Sequence, residues 1–150
     1  MKAVIQRVLR AAVTIDGAQT RRIGPGLMIL LGVSDTDTTA VCRKLAEKCA
    51  GLRIFADEAG KMNISALEKG LEALVVSNFT LYGDTKKGKR PSFIRAAKEP
   101  LSRDAYEAFV AELRKTGLAR VETGEFGADM QIELVNDGPV TIVIETDDWA

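Results

Sequence analysis

The sequence predicts an α+β fold: a strongly bent, barrel-like β-sheet with two main helices packed on it. Three observations lead there. Most apolar stretches are short, rich in Val, Ile and Leu, and bounded by Gly, Pro, Asn or Asp, which is the pattern of strands. Two longer segments, residues 38–50 and 102–115, carry apolar residues at helical spacing instead. A length of 150 residues supplies one real core and not two, so residues 1–150 are expected to form a single domain.

The elements follow in order. Val4, Gln6 and Val8 alternate with Ile5, Arg7 and Leu9 in a first strand, and Ala12-Val13-Thr14-Ile15 forms a second, ended by the hairpin signal Asp16-Gly17. Gly24-Pro25-Gly26 breaks the chain before residues 27–33, a near-continuous apolar run expected of a strand buried on both faces. In the first helix Thr38 or Thr39 is placed to cap, Val41, Cys42, Leu45 and Cys49 share a face, and Gly51 stops the element. Residues 52–55 read as a strand, 57–63 as a turn-rich loop, and 74–81 as a strand with Ser77, Asn78 and Thr80 embedded in it. A basic Gly/Pro loop covers residues 83–92. Ser102 caps the second helix, whose apolar face is Tyr106, Phe109, Val110 and Leu113, and Gly117 ends it. Two closing strands, residues 130–135 and 140–145, are split by the turn signal Asn136-Asp137-Gly138-Pro139.

Composition narrows the chemistry. Histidine is absent, so no Ser-His-Asp or Cys-His pair and no His-ligated zinc can form within the chain. A carboxylate, a backbone dipole or the substrate itself must then carry any base role. Cys42 and Cys49 stand about 10 Å apart along a helix, too far for a disulfide, and read as buried apolar residues of a reducing compartment. The first residues are too polar for a secretory signal, and no apolar run reaches bilayer length. A cytoplasmic location and no membrane partner are therefore expected. Net charge is zero, yet residues 121–150 hold eight acids and no Lys or Arg, while Lys86, Lys87, Lys89, Arg90, Arg95 and Lys98 cluster together. Such a patch binds phosphate even on a neutral chain.

Three motifs carry the functional signal. Gly83-Asp84-Thr85-Lys86-Lys87-Gly88-Lys89 matches most of a P-loop, but Arg90 stands where magnesium needs a hydroxyl, and Pro91 follows. The loop is then either a solvated turn or a contact for nucleic-acid backbone, and six cations within thirteen residues favour the second. Ser77-Asn78-Phe79-Thr80 interrupts an apolar strand with three hydrogen-bonding side chains. They either present one face to solvent or line a pocket with the backbone of Phe79 and Thr80. Asn136-Asp137-Gly138-Pro139-Val140-Thr141 is either a plain turn or, with a cis Gly-Pro bond, a rigid pair of main-chain acceptors.

Together these segments resemble the D-aminoacyl-tRNA deacylases. Ser77-Asn78-Phe79-Thr80-Leu81 is similar to that family's Ser-Gln-Phe-Thr-Leu motif, with Asn78 one methylene shorter than the usual Gln. Asn136-Asp137-Gly138-Pro139-Val140-Thr141 is similar to its second motif, about sixty residues on. Met1-Lys2-Ala3-Val4-Ile5-Gln6-Arg7-Val8, Leu52-Arg53-Ile54-Phe55, Gly60-Lys61-Met62-Asn63, Arg90-Pro91-Ser92-Phe93 and Glu122-Thr123-Gly124-Glu125-Phe126-Gly127-Ala128-Asp129-Met130 look like further family blocks in family order.

The resemblance implies hydrolysis of the ester of D-aminoacyl-tRNA, and of glycyl-tRNA mischarged on tRNA-Ala, by a homodimer. Gly138 and Pro139, joined by a cis bond, would enter the partner's pocket opposite its copies of Ser77, Asn78, Phe79 and Thr80. There they would reject an L side chain by main-chain clash. Thr80 and Phe79 become candidate catalytic residues, with their amides as oxyanion donors. Ser77, Asn78, Phe126 and Met130 become candidate substrate-binding residues, and Arg7 and Asn136 support the filter. Lys86, Lys87, Lys89 and Arg90 are expected on the tRNA backbone. Aminoacyl-tRNA and a second copy of the chain are the implied partners, with no DNA, metal or organic cofactor. Thr80 could attack directly, or the terminal ribose 2′-OH could assist a water; the missing histidine favours the second route. A non-catalytic tRNA-binding module of the same fold and a small-molecule esterase or D-amino-acid amide hydrolase are the alternatives.

Overall fold

A computed structural model describes residues 1–149. In chain order the elements are β1 (Lys2–Ile15), β2 (Gln19–Ile23), β3 (Gly26–Gly32), α1 (Cys42–Gly51), β4 (Phe55–Ala56), β5 (Met62–Ile64), β6 (Glu72–Ser77), α2 (Leu101–Lys115), β7 (Arg120–Thr123) and β8 (Met130–Glu145). On one edge of β1 its first half pairs antiparallel with β3 and its second half with β2. On the other edge β8 runs antiparallel along nearly its whole length. Beyond β3 the sheet continues in parallel through β6 and β7. Parallel neighbours need crossovers, and these contain α1 and α2.

Two apolar clusters fill the two sides of the sheet. Ala3, Ile5, Leu27, Ile29 and Leu31 join Leu45 and Cys49 of α1 and Phe109 and Leu113 of α2 in the first. Val8, Ala11, Val13, Ile15, Met28, Leu74 and Val76 form the second, with Ile132 and Leu134 of β8 packed against it. β3 feeds both clusters with alternate residues, which is why residues 27–33 read as continuously apolar.

β1 also serves both, by a different device. In a regular strand Ile5 and Val13 point to the same side. Here Ile5 lies in the first cluster and Val13 in the second. The register against β8 shifts between Val8 and Arg10, leaving Leu9 without a partner, and this bulge exchanges the faces of the strand. A second shift falls between Gln6, opposite Thr141, and Val8, opposite Asn136. Across that interval the single residue Arg7 faces residues 137–140.

The α+β class, bent sheet and two helices agree with the sequence expectation, while several local readings need correction. The two N-terminal strands are one, because the bulge at Leu9 lets β1 continue where the alternation of the sequence breaks. The Asn136-Asp137-Gly138-Pro139 segment is not a hairpin turn but an outward excursion within β8, since both of its flanks pair with β1. Strand β6 stops at Ser77, and residues 79–82 form a 3-10 turn rather than more strand. Residues 52–54 lie outside β4, which keeps only Phe55 and Ala56, and β5 occupies part of the supposed loop. The second helix starts at Leu101 with Pro100 at its N-cap, so Ser102 is already helical. Thr38 makes no side-chain cap, because a 3-10 turn over Thr39–Val41 leads into α1. Gly51 is the last residue of α1 and not its terminator.

Glycine is obligatory where β3 and β6 approach. A Cβ at Gly26 would overlap the Glu72 carbonyl oxygen, whereas one at Gly51 meets nothing within 4 Å. Gly26→Ala should therefore lower unfolding free energy by about 3 kcal/mol or more. Gly51→Ala should raise it by up to about 1 kcal/mol. Urea denaturation of the two variants beside the parent checks both signs.

Candidate active site

Parallel strands β3 and β6 end side by side, with Leu31 opposite Ser77. The N–H of Asn78 still donates to the Leu31 carbonyl (2.8 Å), after which the chain leaves the sheet through the 3-10 turn Phe79–Tyr82. Asn78 caps that turn: its Oδ1 accepts from the Thr80 N–H at 3.2 Å and from the Thr80 hydroxyl. Asparagine is short enough to cap in this way, and glutamine is not a favoured N-cap residue. The cap has a chemical consequence. Both donors of Thr80 are already engaged, while the Phe79 N–H has no hydrogen-bond partner among the described residues. Of the two amides expected as oxyanion donors, the one at Phe79 is free.

Beside the turn lies a cleft of about 450 Å³. Ser77, Asn78 and Phe79 line it together with Phe126 and Met130, so five residues singled out in the sequence meet in one place. Thr80 is exposed next to the cleft without lining it. Lys98, Glu99 and Ser102 also contribute, and apart from the charge of Lys98 no sequence signal marks them as functional. Lys98 and Glu99 lie in the stretch without periodicity before Leu101, and Ser102 in the first turn of α2.

Gly138 and Pro139 do not line this cleft within the same chain; both are exposed, and the bond between them is cis. Arg7 and Asn136 hold the segment from below. Arg7 donates from Nε to the Asp137 carbonyl (3.1 Å) and from Nη1 to the Ile54 carbonyl (2.6 Å), and it pairs with the Asp137 carboxylate at 3.3 Å. Asn136 accepts from the Val140 N–H (2.9 Å) and donates to the Thr141 hydroxyl (3.0 Å), closing the excursion at its neck. A Cβ at Gly138 would stand 2.8 Å from a Val140 methyl and 3.2 Å from Arg7 Nη2, at a φ of +131°. Only glycine suits that position.

Lys86, Lys87, Lys89 and Arg90 are exposed and, among the described residues, unpaired with any carboxylate. Two backbone hydrogen bonds between Asp84 and Ser92 close the base of their loop. No helix follows it at once, as a P-loop would require. Phe93, just beyond, packs edge-on against Phe79 with ring centroids 5.2 Å apart, so the basic loop is rooted next to the cleft. Among the described residues no three Cys, Asp or Glu side chains converge as metal ligands would. No helix of the structure is long and apolar enough to cross a membrane.

The D-Tyr-tRNA(Tyr) deacylase family matches residues 4–145. The chain belongs to this family. The D-aminoacyl-tRNA deacylase of Heliobacterium modesticaldum is 56% identical over 145 residues, covering 97% of this chain and 96% of the relative. That of Geobacillus sp. strain WCH70 is 50% identical over 150 residues, covering 100% and 98%. Among solved structures, the c-Myc DNA unwinding element binding protein superposes with a TM-score of 0.90 at 44% identity, covering 97% of this chain and 98% of that one. A probable eukaryotic D-amino acid tRNA deacylase superposes with a TM-score of 0.84 at 16% identity, a likeness of fold alone.

The cysteines of this family member lie away from the cleft. Burial pushes the Cys42 thiol up to about 11, helped by repulsion from Asp37, and burial alone pushes Cys49 up to about 12. Neither forms thiolate near neutrality, so Ellman's reagent at pH 8 should leave the folded protein unlabelled and titrate both thiols once guanidinium unfolds it. Arg7→Ala should lower stability by about 1–3 kcal/mol, because it strands the Asp137 and Ile54 carbonyls. Chemical denaturation measures the loss, and Arg7→Lys should recover only part of it.

Proposed function

We propose that this chain hydrolyses the ester linking a D-amino acid to the 3′ end of tRNA. The observation that carries the reading is the cleft beside the 3-10 turn, where Ser77, Asn78, Phe79, Phe126 and Met130 meet in a chain of the deacylase family. The free Phe79 N–H supplies a donor for the oxyanion that forms when the ester carbonyl is attacked. One such donor contributes roughly 3 kcal/mol. Thr80 is a poor nucleophile here. Its hydroxyl proton goes to an amide oxygen, which is no base, and no histidine exists to take its place. The terminal ribose 2′-OH, adjacent to the ester in the substrate, is the group that activates water.

Chirality is sorted by the Gly138-Pro139 segment of a second copy of the chain, which completes the cleft in a homodimer. Its carbonyls and shape, rather than a side chain, exclude the L-enantiomer. Support comes from Arg7 and Asn136, which fix both ends of that segment while leaving its tip exposed. Glycyl-tRNA, having no side chain to exclude, passes the same filter. Lys86, Lys87, Lys89 and Arg90 attract the tRNA backbone.

The test is deacylation of matched D- and L-tyrosyl-tRNA. The D-ester should be turned over and the L-ester spared; equal rates or no turnover overturn the reading. Thr80→Ala should stay within about tenfold of the parent, since it removes no activated nucleophile. A D-tyrosyl-tRNA ending in 2′-deoxyadenosine should react at least about a hundredfold more slowly. A dead Thr80→Ala together with an active deoxy substrate would transfer the attacking role to Thr80.

A further inference from the structure

A second groove, of about 260 Å³, opens beside the acyl cleft, and Phe126 lines both. Three arginines line the groove: Arg21 of β2, and Arg103 and Arg114 of α2. Positions 103 and 114 are three helical turns apart and share a face, separated by about 16 Å along the axis. Each guanidinium is held in place. Arg21 donates to the carbonyls of Thr123 (2.8 Å) and Gly124 (3.2 Å) and to the Glu125 carboxylate (3.3 Å). Arg103 lies over the Phe126 ring, 4.7 Å from its centroid, and donates to Glu99 (3.1 Å). Arg114 donates to the Val121 carbonyl (3.2 Å). Two acids share the groove, Glu107 and Glu125, and Glu125 is already taken by Arg21.

We propose that this groove seats the phosphodiester backbone of the single-stranded 3′ end of tRNA, immediately 5′ of the terminal nucleoside. The inference rests on the D-aminoacyl-tRNA reading above, which puts the terminal nucleoside at the acyl cleft. A strand leaving that cleft across Phe126 meets Arg103 first and Arg114 three turns further along α2. A guanidinium presents a planar fork of donors that matches two phosphate oxygens, and prior anchoring lessens the entropy lost on binding. Phe126 sits under Arg103 and packs on Tyr106, so the groove sets arginines for the phosphates beside an aromatic wall, a combination found in single-strand nucleic-acid sites. Lys98 lines the acyl cleft and adds a cation there, beside Glu99.

The experiment compares two substrates, D-tyrosyl-tRNA and D-tyrosyl-adenosine, which lacks every phosphate. Arg103→Gln and the double variant Arg103→Gln/Arg114→Gln should raise KM for D-tyrosyl-tRNA about tenfold, leaving kcat unchanged and D-tyrosyl-adenosine unaffected. The slope of log kcat/KM against log salt should become shallower by about 0.7 for each phosphate no longer neutralised. Arg103→Lys should restore part of the salt slope. Equal losses on both substrates would mean that Arg103 acts by propping Phe126, and unchanged KM for tRNA would mean that the backbone runs elsewhere; either result overturns the proposal. Binding of uncharged tRNA, read by fluorescence anisotropy, separates this inference from the catalytic one. Weaker binding by both variants upholds the groove even for a chain that hydrolyses neither substrate, and unchanged binding refutes it even for an active enzyme.

Discussion

The fold depends on one strand belonging to two cores. β1 contributes Ala3 and Ile5 to the helix-covered cluster and Val8, Ala11, Val13 and Ile15 to the opposite one. A strand of strict alternation cannot do that. The unpaired Leu9 supplies the extra residue that moves the apolar set from one face to the other, and it adds the local twist by which a flat ribbon becomes a bent sheet. Leu9 is half exposed, as expected of a residue displaced from both cores.

The second irregularity in the same pairing builds the Gly138-Pro139 excursion. Where β8 has four residues opposite one, the surplus must bulge outward, and its carbonyls lose their ladder partners. Arg7 is the β1 residue at that interval. Its guanidinium replaces part of the missing ladder by donating to Asp137 and, on the other side, to Ile54. An arginine on a strand face, 14% exposed and paired with a carboxylate, thus acts as a piece of backbone hydrogen bonding. The excursion is fastened at its neck, by Arg7 from below and Asn136 across, while its tip is exposed.

Much of this was legible in the sequence, and what was not has physical causes. The buried faces of α1 and α2 and the doubly buried β3 follow from periodicity, because burial there depends on residues close in sequence. The joining of two apparent strands into β1, and of two others into β8, depends on pairing between opposite ends of the chain, which local pattern does not register. Asn136-Asp137-Gly138-Pro139 carries every mark of a hairpin turn, yet β1 is available to pair with both flanks, so the segment stays within one strand. At the cleft, the polar motif at residues 77–80 and the aromatic and thioether side chains of Phe126 and Met130 could be named in advance. Lys98 and Glu99 reach the same place through an irregular approach to α2, and Ser102 from its first turn, where no spacing rule marks such residues. The role of Asn78 was visible as a change of residue and not as a cap, since capping required knowing that β6 stops at Ser77.

The pairing of β1 with β8 joins the first strand of the chain to the last, and it bears on how the protein is made. During synthesis β1 can meet β2 and β3 early, but its other edge stays open until β8 has left the ribosome. Over that interval a long apolar strand has unpaired N–H and C=O groups, and the second cluster lacks Ile132 and Leu134. Closure must therefore be late and dominated by pairings distant in sequence, which makes folding slow for a chain of this size. A nascent or truncated chain lacking β8 is an open-edged sheet, suited to recruit the same strand from a neighbour and to aggregate rather than wait.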